Sequence, residues 1–127
     1  MLAYNEKMNI HKIKIPKRSR FNQLRKILPS SFEWIKDGKR LYYEGIKMQH
    51  CVNSYYDYIN QDICAIYSVV YKEKRYTIEF RQHKNKMYYF TQIQSKCDRG
   101  CPEEVKEWIN SFLEKNKGIY NNCEEQS

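Results

Sequence analysis

Residues 63–94 read ICAIYSVVYKEKRYTIEFRQHKNKMYYFTQIQ. Residues 63–71 are rich in β-branched and aromatic side chains, which favour a pleated, half-buried strand. Lys72-Glu73-Lys74 is a polar turn. Residues 75–82 then alternate, with Tyr76, Ile78 and Phe80 on one face and Thr77, Glu79 and Arg81 on the other. His83-Lys84-Asn85 turns the chain again. In 86–94, Met87, Tyr89, Thr91 and Ile93 oppose Tyr88, Phe90, Gln92 and Gln94. Runs joined by turns this short form hairpins, so the stretch predicts a three-stranded antiparallel β-meander.

Helical spacing lies on either side. Downstream, Pro102 suits the first helical position and Glu103 and Glu104 complement the helix dipole. Val105, Trp108, Ile109, Phe112 and Leu113 follow at i, i+3, i+4, i+7 and i+8, an amphipathic C-terminal helix. Upstream, a glycine hinge at Gly45 leads into a helix over 47–60, with Met48, Cys51 or Val52, Tyr55 and Ile59 on its buried face. Before it, Ser19 caps a helix over 20–28 that carries Phe21, Leu24 and Leu28 and ends at Pro29. Ser30 and Glu33 have capping-box spacing for a second short helix over 31–36, closed by Asp37-Gly38. Ile13 and Ile15 alternate with Lys12 and Lys14, a short edge strand. The expected class is α+β: N-terminal helices, the three-stranded antiparallel meander and the C-terminal amphipathic helix. Residues 1–19 read as a basic N-terminal arm, 20–118 as one domain and 119–127 as a polar tail.

Size and charge bound the function. A chain of 127 residues holds one domain. Its mean hydropathy is −0.91, yet twelve tyrosines supply core area that hydropathy undervalues. No apolar run approaches the ~20 residues of a membrane span, and the N-terminus lacks a signal-peptide core. A cytoplasmic protein with no membrane partner is expected. Five cysteines, an odd number, argue against a disulfide framework. A net charge of +8 favours polyanionic partners, nucleic acid or an acidic protein surface. Lys17, Arg18, Arg20, Arg25, Lys96 and Arg99 are the residues expected to meet phosphates.

The polar candidates centre on His50, whose imidazole can act as base, ligand or hydrogen-bond hub. Its neighbour Cys51 lies ~100° away around a helix, so the two cannot point together, and Cys51 goes to the core as a small apolar residue. If the second and third strands of the meander pair in register, Thr77, Glu79 and Gln92 share a face. A helix laid over that face would assemble His50, Glu79 and Gln92, with Tyr55 nearby. Glu79 would then orient the imidazole or exchange a proton. The plainer alternatives are a structural hydrogen bond for His50 and a solvent-facing strand position for Glu79. Cys97 and Cys101 have a ligand-like C-x3-C spacing that His50 or Cys51 could complete as a zinc site, but a single such pair is a weak signal, and no metal and no cofactor is expected. P-loop, GxGxxG, HExxH and paired-carboxylate nuclease motifs are absent.

The ordered motifs Gly45-x-x-Met48-x-His50-Cys51-Val52-x-x-Tyr55, Thr77-Ile78-Glu79, Gln92 and Lys96-x-Asp98-Arg99, followed by an acidic-start helix, resemble the PcfJ-like family of conjugative plasmids, phages and related mobile elements. The resemblance covers residues 44–113. Ser95 stands where that family usually has glycine and Asp98 where it has asparagine, and Cys97 and Cys101 lie outside its pattern. The resemblance implies a mobile-element setting. With the basic charge, it leads to an accessory protein acting on or with nucleic acid, with His50, Glu79 and Gln92 as its polar site. The alternatives are a protein-binding module, such as an inhibitor of a host defence complex, and an enzyme using His50 with Glu79.

Overall fold

The structure, a computed structural model, describes residues 13–48, 53–95 and 101–115. Its centre is the sheet that the alternation predicts. Strands β2 (Ala65–Tyr71), β3 (Lys74–Gln82) and β4 (Tyr88–Gln94) pair antiparallel in sequence order. The β2–β3 hairpin turns at Lys72 and Glu73, which take φ of 48° and 69°. Positive φ at both central residues is what a two-residue turn matching the strand twist needs. In β4, Gln92 pairs with Glu79 but Phe90 pairs with Phe80, so Thr91 is an extra residue and the strand bulges there. The bulge corrects the strict alternation expected for 86–94. Phe90 and Ile93, which alternation assigns to opposite faces, both pack with the core around Phe80 and Ile78.

A fourth strand extends the sheet. Glu33–Ile35 forms β1 and pairs antiparallel with β2, giving the order β1-β2-β3-β4. This replaces the short helix expected over 31–36. The capping-box spacing of Ser30 and Glu33 loses to burial: Ile35 is fully buried against Ile66, and Trp34 stacks on Tyr67. Asp37 does not close that segment but opens the next. Its carboxylate accepts the Lys39 amide at 2.8 Å, an N-terminal cap.

The helices are α1 (Asn22–Ile27), α2 (Gly38–Met48), α3 (Asn53–Asn60) and α4 (Glu103–Lys115). Helix α2 starts well before the expected 47, and Gly45 lies buried inside it rather than at a hinge. The expected edge strand does not form over 13–15. There the Lys14 amide bonds the Asn60 side chain at 2.8 Å. Asp62, at φ 59°, holds the following turn through Ser19 at 2.6 Å and the Arg20 amide at 2.9 Å.

Both faces of the sheet are covered. Ala65, Tyr67, Val69, Tyr76, Ile78 and Phe80 pack with Phe21, Leu24 and Leu28 around α1 and with Val105 and Ile109 of α4. Phe32 joins them, stacked on Trp108 with ring centres 5.2 Å apart. On the other face Ile35 and Ile66 pack with Leu41 of α2 and with Tyr55, Tyr56 and Ile59 of α3. Burying such side chains contributes roughly 1.5–3 kcal/mol each. The class is α+β with four antiparallel strands. No helix among the described residues is long and apolar enough to cross a membrane.

Candidate functional site

The second face is not wholly apolar. Alternation along β3 brings Arg75, Thr77 and Glu79 beneath the helices that hold Leu41 and Tyr55, and there the polar groups are paired. Glu44 of α2 is fully buried. One carboxylate oxygen accepts the Thr77 hydroxyl at 2.6 Å, and the other accepts Arg40 at 3.0 Å and Arg75 at 3.4 Å. Arg75 also donates to Ser68 at 2.7 Å. Arg40 grips Glu33 on β1 through two bonds of 2.8 Å. That charge-assisted hydrogen bonding holds the Glu33 carboxyl below its usual range and raises the guanidinium of Arg40. The network ties α2 to β1, β2 and β3 and balances two carboxylates against two guanidiniums.

Further along β3, Glu79 is 5% exposed and accepts the Arg81 guanidinium at 2.9 Å. Burial pushes the neighbouring Cys64 thiol up to about 12, and the Glu79 carboxylate adds to the effect. Gln92 is the cross-strand partner of Glu79, and its carbonyl accepts the Tyr55 hydroxyl at 2.9 Å. The structure thus brings Tyr55, Glu79 and Gln92 together across α3, β3 and β4. His50 and Cys51 lie outside the described residues. Gln92 reaches a shallow groove of about 350 Å³ along β4, shared with Phe90, Gln94, Cys101 and Lys106. In this arrangement Gln92 is an accessible amide, while Glu79 is a buried, paired carboxylate suited to orienting a neighbour.

Glu44, Arg40 and Arg75 escaped the reading of the sequence. A faint signal existed: Arg40 and Glu44 are spaced i, i+4, and Arg75 shares the polar parity of Thr77 and Glu79. Starting the helix at 47 rather than 38 hid it.

The basic candidates lie elsewhere. Lys17, Arg18, Arg20 and Arg25 are exposed in and before α1. Arg20 reaches Asp62 at 3.7 Å. Among the described residues, Lys17, Arg18, Arg25 and Lys26 make no ion pair, and no Asp or Glu occurs between 17 and 26. Lys96 and Arg99 fall outside the described residues, as does Cys97. Among those described, no three His, Cys, Asp or Glu side chains converge as a metal site would require.

No family model matches the chain, and neither does any curated protein or solved structure.

Proposed function

We propose that the protein is a nucleic-acid-associated accessory protein of a mobile genetic element, working in the cytoplasm. The observation that carries this reading is the distribution of charge. The two buried carboxylates, Glu44 and Glu79, are neutralised internally by arginines. The cations at 17, 18, 25 and 26 stay exposed and, among the described residues, without an ion-pair partner on one short segment. Such a segment attracts phosphates and releases their counterions. The motif resemblance supplies the mobile-element setting. Its polar site is His50 with Glu79 and Gln92, supported by the Glu79–Gln92 pairing and the Tyr55 hydrogen bond. The test is fluorescence anisotropy of labelled DNA and RNA across a salt series. Binding that weakens as salt rises supports the reading, and no binding at low salt sinks it.

One observation favours a second reading, a protein-binding module. Tyr43 and Ile46 on α2 are 53% and 55% exposed, flanked by exposed Lys39 and Lys47. Tyrosine beside cations suits an acidic protein surface. In a pull-down of a host defence complex, Tyr43→Ala with Ile46→Asp is expected to abolish capture while leaving nucleic-acid affinity unchanged. Unaltered capture by the double variant rejects this reading.

A further inference from the structure

Between α1 and β1 lies a groove of about 410 Å³, with Arg25, Ser30, Phe32, Glu33, Trp34 and Lys36 on its walls. The volume is within the range of small-ligand sites. Trp34 sits on the edge strand, half-buried. Its indole stacks nearly parallel on Tyr67, 13° between planes and 6.0 Å between centres. Tyr67 is itself 1% exposed and set edge-on to Phe80, so the indole rests on a rigid support. The Lys36 ammonium lies 5.4 Å from the Trp34 ring centre. Lys36 is exposed on a long, flexible stem and can leave the ring without disturbing the core.

The charges in the groove are unequal in availability. Glu33 is the acid among these residues, and both of its oxygens are held by Arg40 on 2.8 Å bonds. Arg25 and Lys36 pair with no carboxylate among the described residues. The groove therefore offers a supported aromatic ring, two available cations and a serine hydroxyl. An acidic peptide would satisfy the cations and leave the indole unused. A base-paired duplex would present phosphates with its base faces already stacked. A nucleotide in a single strand supplies both a flat ring and an adjacent phosphate.

We infer that the α1–β1 groove binds one nucleotide of a single-stranded nucleic acid, its base stacked at Trp34 and its phosphate held by Arg25 and Lys36. This rests on the proposed association with nucleic acid and names the strand form that the groove takes. Lys36 moves from the ring to the phosphate as the base arrives.

The chain has two tryptophans, so Trp108→Phe leaves Trp34 as the sole reporter. Titration with oligothymidylate or oligouridylate of about 12 nucleotides is expected to quench Trp34 emission. The quench should saturate together with the anisotropy signal. Trp108 packs on Phe32, Tyr71 and Phe112, so a second arm avoids touching it. In the otherwise native chain, Arg25→Glu with Lys36→Glu is expected to weaken single-strand binding ~10-fold or more. Duplex binding through other cations should fall less. Binding of the oligonucleotide with no change in Trp34 emission, or equal losses for duplex and single strand, overturns the groove assignment and leaves the broader reading intact. Displacement by inorganic polyphosphate with Trp34 emission unmoved throughout shows a phosphate patch only, and also overturns it. Absence of binding to any nucleic acid at low salt removes both.

Discussion

Tyr67 and Glu44 are both buried, and opposite consequences follow for their replacement. Glu44 is satisfied by Arg40, Arg75 and Thr77. Removing it leaves the part-buried Arg75 guanidinium without its anion, while Arg40 keeps only Glu33. Glu44→Ala is expected to cost about 3 kcal/mol in urea denaturation, in the range for breaking a buried pair. A loss under ~0.5 kcal/mol, that of a surface substitution, counts against a structural clamp. The Tyr67 hydroxyl has no hydrogen-bond partner among the described residues, which costs roughly 1–3 kcal/mol of desolvation. Tyr67→Phe removes that atom and keeps the ring, so equal or higher stability is expected; a clear fall in midpoint would show that the hydroxyl is bonded. Cys64 gives a pH signature. Its thiol is raised from 9.0 to about 12 by burial, so stability from this group is complete below the unfolded value and declines as pH rises toward the folded one. Between about pH 8 and pH 10 the native thiol keeps a proton that the unfolded chain releases, a loss of about 1.4 kcal/mol. Tyr56, pushed up to about 12 by burial, adds to the decline above its ordinary value of 10.0. Cys64→Val should flatten the slope by the thiol's share. An unchanged slope shows an accessible thiol. None of these burial states is readable from local sequence. Tyr67 and Glu79 have the same alternating context as exposed strand residues, and only the helices laid over both faces decide the matter.

The elements divide by how local their causes are. Strands β2 to β4 and helix α4 are legible because period-two alternation, short polar turns and an i, i+3, i+4 stripe each act within a few residues. The pairing of Glu79 with Gln92 does not follow from those turns: it depends on the extra residue Thr91, without which Glu79 would face Thr91 itself. Strand β1 is different: three residues carry no period, and Glu33–Ile35 becomes a strand only because β2 offers an edge to pair with. The same loss of context turned Asp37 from the N-cap of α2 into the apparent end of a helix, and that concealed the Glu44 network. The bulge at Thr91 is likewise invisible to an alternation count. The β2–β3 turn makes a quantitative test. Glu73 holds φ 69° and is exposed. A left-handed conformation costs a non-glycine residue roughly 1–2 kcal/mol, partly offset by the extra chain entropy glycine brings to the unfolded state. Glu73→Gly is therefore expected to stabilise by up to ~1 kcal/mol, read as a higher thermal midpoint. Destabilisation would mean that the turn does not hold this conformation in solution.

Across the whole molecule, one cationic stretch stands apart from the acids. Glu44 and Glu79 lie inside and are paired, while the 17–26 segment presents cations without a nearby acid in sequence. The net charge of +8 is thus concentrated rather than evenly spread. A diffuse excess and a local cluster give the same composition but different salt behaviour. If Lys17, Arg18, Arg25 and Lys26 each meet a phosphate of a single strand, the logarithm of affinity should fall against the logarithm of salt with slope about −3. Lys17→Glu with Arg18→Glu removes two of those contacts, so the slope should fall to about half. Reversing two exposed cations of α2 on the other face of the sheet, Lys39 and Lys47, should leave the slope nearly unchanged. Equal effects of the two double variants would show that net charge alone drives binding. A reduced slope only for the first pair would place the phosphate contacts on the α1 side, next to the groove containing Arg25 and Trp34.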